Sequence, residues 1–398
     1  MKRFVETSFG IMLAVAMASP NCWATIKDFD NGGGDFKFLT AANWNDAIGS
    51  DDNTVPGPSD RAIINAGFTG ASGVTYATSV TTTVGSLIVG ADWPTTGETG
   101  TPGTLSMSAG RIVVTGGGDN FQISRACCAS EGSAIIMTNN ATLEIGGSDP
   151  IVGTRDQGTL DVGGTASVVP TTVGGTYWRL GNYGPSFDQT VTNPGGLQGN
   201  GLLNVHASGS FSANVIFIGD NDSTGELRVS DNGSVVLTGN LVPRPAGFFP
   251  QGSATVRMTG SSATLQAYNL ESESLPGEIR TKYRFDANAL GVSKIKLTDA
   301  INITNNDLEV NLDGYVLPNL ATLLLFDGDQ ALAGNRIFGT FANLTVNGVL
   351  NPTNYQVVYN QTTGDILLQN SVPEPSTMLL LGFGMVMTIF VAKRRETR

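Results

Sequence analysis

The side chains that could do chemistry are few in this chain, and they are scattered. Its single histidine, His206, lies in LLNVHASGS. An imidazole triad needs a nucleophile and a carboxylate placed around it, and none stands nearby, so a polar strand-surface histidine is the plainer interpretation. Zinc finds no ligand set either, because the remaining soft ligands are Cys22 and the adjacent Cys127 and Cys128. Glycoside hydrolysis needs two carboxyl groups at a fixed separation. Asp156 with Asp161 and Asp220 with Asp222 are the candidate pairs. Each sits among Gly and Asn, where aspartate is favoured for turn geometry, and no Arg or Lys pairs with it locally.

Calcium suits the residues better than catalysis. Asp28, Asp30 and Asp35 surround Asn31 and three glycines, and Asp220, Asn221 and Asp222 crowd one turn. Oxygen ligands on Gly-rich turns match that cation. Neither stretch has the spaced loop of an EF-hand or a GGxGxD repeat, and solvated turn acids remain the simpler account. A separate aromatic group, Tyr177, Trp178 and Tyr183, lies in the segment TYWRLGNYGPSFDQTVTNPGG and has the ring chemistry to stack on sugars. The same cluster would serve equally as a small local core.

Composition narrows the partners. The net charge is −12, and removing the six basic and three acidic residues of the two ends leaves a body at −15. A phosphate-binding surface must be basic, so nucleic acid is not an expected partner. Only 14% of residues are charged, against about 25% in ordinary domains, while glycine numbers 51. Gly, Thr, Ser and Asn have taken the surface places of Lys and Glu, which favours turns and strands over helices.

The elements that must carry these residues repeat. A glycine opens a short alternating strand, a polar turn follows, and a second strand comes after it. The units are GTLSMSAGRIVVTG from Gly103, GSAIIMTNNATLEIGG from Gly132, GTLDVGGTASVVP from Gly158, GLLNVHASGSFSANVIFIG from Gly201, GELRVSDNGSVVLTG from Gly225 and GSATVRMTGSSATLQAYNL from Gly252. Their opening glycines are 29, 26, 43, 24 and 27 residues apart, and the long interval holds the aromatic insert. Apolar residues alternate within a unit, as at Leu227, Val229, Val235 and Leu237, which marks strands with one buried face. A unit this short cannot bury that face alone; stacked on its neighbours it can. The expected fold is therefore all-β: a parallel β-helix of six to eight coils, roughly 30–40 Å of rod at the usual rung spacing. An antiparallel β-sandwich is the alternative. In the solenoid, Leu227 should stack on Leu203 and on Ala254.

Both ends of the chain are export segments. Met1-Lys2-Arg3, an apolar run from Phe9 to Ala18 and Ser19-Pro20-Asn21-Cys22-Trp23-Ala24 form a secretory signal peptide, with cleavage expected after Ala24. At the other end Val372-Pro373-Glu374-Pro375-Ser376 precedes the apolar run Thr377 to Ala392 and then Lys393, Arg394 and Arg395. That run is at the short edge of a bilayer span, and the basic cluster after it should stay cytoplasmic. The order of these three parts at the extreme terminus resembles the PEP-CTERM sorting signal read by exosortase enzymes in Gram-negative bacteria. The resemblance covers the last 27 or so residues. It implies recognition by exosortase, removal of the helix and transfer of the body to the outer surface, where such proteins accompany exopolysaccharide or biofilm matrix. The stretch from Lys27 to Asn65, with its Gly cluster, Asn43-Trp44, Pro56 and Pro58, resembles the opening of autotransporter-like β-helix passengers, with Phe29 and Phe38 where Trp is common.

These readings assign residues 1–24 to the signal peptide, 25–66 to an N-terminal cap and 67–284 to the solenoid. Residues 285–370 form a C-terminal β region that caps the open end, 371–376 a linker with the PEP motif, 377–392 a transmembrane helix and 393–398 a basic tail. The expected function is that of an exported, exosortase-sorted, non-enzymatic protein of the cell surface or extracellular matrix. Exosortase and the secretion machinery, exopolysaccharide and, before processing, the inner membrane are its expected partners. No cofactor is required, with calcium the one that the residues invite. A secreted β-helix polysaccharide lyase or glycoside hydrolase is the alternative.

Overall fold

Alternation decides the backbone here. In Thr224–Ser230 the residues run half-exposed and buried in strict turn, with Gly225, Leu227 and Val229 inward. Ser253–Thr259 repeats the pattern. Such strands have one apolar face and must share it. The computed structural model describes residues 25–46, 53–65, 73–90, 102–116, 120–124, 132–147, 149–154, 156–172, 175–182, 199–219, 223–243, 253–272, 279–328 and 336–371.

Three parallel ladders solve the burial problem. The first stacks Ser133–Met137, Gln157–Val162, Asn200–Val205, Thr224–Ser230, Ser253–Thr259, Lys282–Asp286, Asp307–Asn311 and Asn343–Val346 in that order. A second runs from Thr142–Ile145 through Ser167–Pro170, Ser210–Ala213, Ser234–Leu237, Thr264–Ala267 and Ile295–Leu297 to Thr322–Gly328. The third begins at Ile26–Phe29 and ends at Ile337–Phe338, passing through Tyr177–Leu180 and Val215–Ile218. Two long strands, Val74–Val84 and Thr104–Val114, bend across the first and second ladders together. Each turn of chain thus visits three faces and returns one rung on. This is a solenoid of parallel strands, not an antiparallel sandwich.

Register is set by the inward residues. Leu203 lies opposite Leu227, as expected, and Asn204 opposite Arg228. On the other side Leu227 meets Val256, while Ala254 meets Gly225. The expected partner Ala254 is therefore displaced by two residues, because the ladder aligns buried positions and Ala254 takes the small inward site that Gly201 and Gly225 fill in earlier coils. The ladders also continue past residue 284: Lys282–Asp286 pairs with Asp307–Asn311, and that strand with Asn343–Val346, both in parallel. Coils occupy much of the region expected to be cap, since Tyr283, Phe285, Leu308 and Val310 alternate inward like the residues before them.

The core is one continuous stack between the faces. Leu160, Leu203, Leu227, Val256, Tyr283 and Leu308 follow each other up the first ladder, all essentially without solvent exposure. Each buried aliphatic side chain is worth about 1.5–3 kcal/mol. Corners are tight. Gly153 and Gly219 leave the third ladder with φ of 76° and 71°, and a Cβ on either would strike the backbone of the coil beyond, at Asn200 and Ser253.

The ends depart from the parallel rule. At the first, Trp44–Asp46 runs antiparallel to Ile26–Phe29, and Trp44 packs edge-on against Phe38 at 4.9 Å and Phe29 at 5.2 Å. The indole N–H donates to the Phe38 carbonyl at 2.6 Å. At the other end Asp365–Asn370 runs antiparallel to Thr322–Gly328 and to Tyr355–Asn360, and Val349–Leu350 folds back on Asn343–Val346. These strands cover coil ends that would otherwise template aggregation. Among the described residues no helix is long and apolar enough to cross a membrane. The signal peptide and the expected transmembrane helix lie outside the described residues.

Candidate functional site

Stacking converts a sequence repeat into a surface column. The outward position of GELRVS, SATVRMT and KYRFD holds Arg228, Arg257 and Arg284, and the register places these three directly above one another. Rungs are about 4.8 Å apart, so the guanidinium groups form a short basic ladder on an otherwise acidic body. Each is answered by a carboxylate. Arg228 pairs with Glu226 at 3.0 Å, and Arg284 with Glu309 at 3.4 Å. Glu309 itself occupies the next step of the column.

Asp286 is the centre of the arrangement. It ends the strand Lys282–Asp286, and its carboxylate accepts from Arg257 Nε at 2.5 Å, Arg284 Nε at 2.9 Å and Asn311 Nδ2 at 2.5 Å. Burial pushes its pKa up, but the hydrogen bonds from Asn311, Arg284 and Arg257, with the Arg257 charge, outweigh that and hold it below the ordinary carboxylate value. Beside it opens a cleft of about 700 Å³ lined by Arg257, Arg284, Asp286, Asn311, Asp313 and Asn347. Asn347 fixes the far wall, its side-chain oxygen accepting the Leu312 N–H at 2.7 Å. Sequence inspection passes over the cleft because its charge partners are 29 residues apart, Arg257 to Asp286. The recurrence of Arg at one place in successive units was the available signal.

The residues singled out by sequence are placed differently. Trp178 is 1% exposed and wedged between Phe121 at 5.4 Å and Phe211 at 4.9 Å, so it belongs to the core and cannot stack on a sugar. Neighbours on a strand face opposite ways, so Tyr177 is left outward at 40% exposure. Tyr183 lies outside the described residues. Asp156 is buried at a corner, whereas Asp161 is half-exposed on the outer row, so the two share no face. Asp161 instead takes a hydrogen bond from Asn204 at 2.5 Å and faces His206 Nε2 at 3.3 Å. Burial raises the Asp156 pKa.

Of the three N-terminal aspartates, Asp30 and Asp35 hold the turn, and Asp28 lies in the strand before it. Asp35 accepts from Asn43 and Thr40, which pull its pKa down to about 2. Asp30 takes the Gly32 N–H at 2.9 Å and the Asn45 amide. Asp28, by contrast, is pushed up to about 6 by burial. No group of three His, Cys, Asp or Glu side chains among the described residues could hold a metal ion. Asp220 and Asp222 lie outside the described residues, as do Ala24, Pro373, Glu374, Pro375, Lys393, Arg394 and Arg395.

The last strand ends at Asn370, one residue before the tail. Residues 371–395 match the PEP-CTERM protein-sorting motif. Neither a curated protein nor a solved structure matches the chain. Fold and tail together define an exported β-solenoid that carries an exosortase sorting signal and is directed to the cell surface.

Proposed function

We propose that this protein is a non-enzymatic component of the cell surface or extracellular matrix, associated there with exopolysaccharide. Residues 377–392 hold it in the inner membrane before exosortase acts, Lys393, Arg394 and Arg395 remain on the cytoplasmic side, and removal of the helix releases the body. No cofactor is needed for this role. The observation that supports it most is the state of the charged outer ladder. Asp286 is bound on three sides and its pKa is held below the ordinary carboxylate value, so near neutral pH it has no proton to give and most of its lone pairs are engaged. A regular polar face of fixed donors and acceptors is suited to holding a polymer, not to cutting one.

The arginines around Asp286 also favour a second reading, a polysaccharide lyase or hydrolase, because cation-flanked carboxylates in a cleft can serve acid–base chemistry. One experiment separates the two. Cells producing the wild-type chain or the triple change Pro373→Ala, Glu374→Ala, Pro375→Ala are fractionated, and their extracellular polymer is sized. Wild-type protein should accumulate with the polymer in shortened form, the triple variant should stay with the membranes, and polymer length should be the same in both. Polymer that shortens with wild type but not with Asp286→Asn would establish the enzyme instead.

A further inference from the structure

Exposed apolar side chains are not spread evenly along the solenoid. Val316, Leu320, Val349 and Leu350 are 84, 65, 57 and 61% exposed, and all belong to the C-terminal end. Among the described residues up to Ile279 the most exposed large apolar residue is Val80, at 50%; Leu290, at 85%, and Phe338, at 51%, are the other strongly exposed ones on the last coils. Hydrogen bonds tie the four to the point where the chain leaves the fold. The Leu320 N–H donates to the Asn370 carbonyl at 2.8 Å, and the Ser371 N–H to the Asn354 carbonyl at 2.8 Å, in the turn that follows Leu350. Leu312, at the base of the loop carrying Val316, is bonded to Asn347, which begins the hairpin turn before Val349.

Two further facts indicate what covers this patch. The fold locks the chain up to its exit: the buried Asn370 side chain donates to the Leu317 carbonyl at 3.0 Å, and its N–H to Ala321 at 3.1 Å. From Ser371 to Thr377, where the apolar run begins, is six residues. A fully extended chain of that length spans at most about 20 Å. No long spacer therefore separates the solenoid end from the surface into which the run inserts. Of the loops that bear the patch, residues 347–354 contain no charged residue and residues 312–321 only Asp313, at the base of the loop, in a body of −15. Acidic loops would be repelled by anionic headgroups, and uncharged apolar tips are not.

We propose that the C-terminal end of the solenoid is a membrane-contact face, with Val316, Leu320, Val349 and Leu350 seated in the headgroup region of the bilayer that holds the uncleaved tail. This rests on the reading that residues 377–392 are membrane-inserted. The contact stands the rod on its end at the membrane and brings the PEP segment to the surface, where a membrane enzyme works. Cleavage would leave four side chains too few to hold the body by themselves, so release follows from processing.

The test uses the full uncleaved chain with a photo-crosslinking benzoylphenylalanine in place of Val316 or Leu350, and at Val80 or Ile136 as controls. All four sites are exposed, so the substitutions leave the core alone. The chains are reconstituted with vesicles of phosphatidylethanolamine and phosphatidylglycerol, floated on a gradient and irradiated. Lipid adducts at 316 and 350, with none at 80 and 136, are the expected result. Flotation without lipid adducts at 316 and 350 would overturn the contact and leave the membrane-inserted tail standing. Failure to float would remove the tail reading and the contact with it. Irradiation of membranes from producing cells gives the last arm: a protein adduct at 350 in place of lipid would assign the patch to a protein partner and overturn the proposal.

Discussion

The middle coils and the two ends bury apolar surface by different means. From Gln157 to Leu270 every described strand meets the strand one coil away, in parallel and in register, and the inward residues are mostly aliphatic, with Trp178 and Phe211 the rings among them. At the ends no further coil exists to pair with. There the chain turns antiparallel, and aromatic rings close the core: Phe29, Phe38 and Trp44 at one end, Phe326, Phe341 and Tyr359 at the other. A coil is stabilised from both sides, whereas an end is stabilised from one. The middle should therefore fail as a unit and the ends should fail locally.

The largest effect should come from charging the middle. Leu227→Asp places an unpaired carboxylate in a fully buried stack between Leu203 and Val256. An uncompensated buried charge costs about 3–5 kcal/mol, which nearest-neighbour coupling will transmit to coils on both sides. Ser234→Ala, on the outward row of the neighbouring strand, should stay within about 0.5 kcal/mol. Urea unfolding read by far-ultraviolet circular dichroism measures both. Equal losses would mean that the middle has no single buried face, and the contrast with the ends would disappear.

The middle was legible in sequence for the same reason that it is cooperative. Period-two alternation and a Gly-headed unit recurring at 24 to 29 residues specify both the strand face and the coil length. Leu227, Val229, Val235 and Leu237 are accordingly buried where alternation puts them. Ala254 was misaligned because the repeat was counted from its glycine, whereas the ladder aligns whatever small residue lies inward. Trp178 stays open in sequence between a sugar contact and a local core because its insert breaks the spacing, yet its own strand, Tyr177–Leu180, alternates like the rest and puts it in the core. The cleft was illegible from any local window, since Arg257, Asp286 and Asn311 come from three consecutive coils. At the end, Val346-Asn347-Gly348-Val349 does carry a hairpin signal: Asn347 and Gly348 have φ of 49° and 78°, which a two-residue turn of this hand requires.

A smaller effect should appear at the N-terminal end, with the opposite sign. The Asp28 carboxyl has a folded pKa of about 6 against an ordinary 3.8, and its Oδ1 is buried with no hydrogen-bond partner among the described residues. A carboxyl with a raised folded pKa favours the fold when protonated. Its contribution is full below the ordinary carboxylate range, declines as pH rises through the window from about 4 to 6, and leaves a constant penalty above it. Asp28→Asn should thus stabilise the end by about 1–2 kcal/mol near neutral pH, after allowance for partial solvent screening, and should change little at about pH 3.5. Amide exchange in residues 25–46 at the two pH values measures this. Stabilisation that is the same at both would show that charge is not what the end is resisting.

An effect no larger than that of Asp28→Asn should come from a lengthened corner in the middle, and here the two regions should part most clearly. Asp231-Asn232-Gly233 joins the first face to the second with one turn bond, Gly233 N–H to the Ser230 carbonyl at 2.8 Å. Two residues inserted after Asp231 remove that bond and lengthen a loop. Those changes cost about 0.5–1.5 kcal/mol and about 0.6 kcal/mol or less respectively. Neither alters the register of Thr224–Ser230 or Ser234–Leu237, because each is fixed by strands one coil away. The same insertion between Asn347 and Gly348 meets a hairpin whose returning strand is two residues long and is held only within the hairpin, by pairing with Asn343–Val346 and by Asn351 on Leu344. Asn347 would also lose its hold on the Leu312 N–H. Exchange protection should then vanish over residues 343–351 and persist over 224–237, whereas the Asp231 insertion should leave both segments protected. Loss of 224–237 on lengthening the Asp231 corner would mean that local turns set the coil register, and that the middle is built in the same way as the ends.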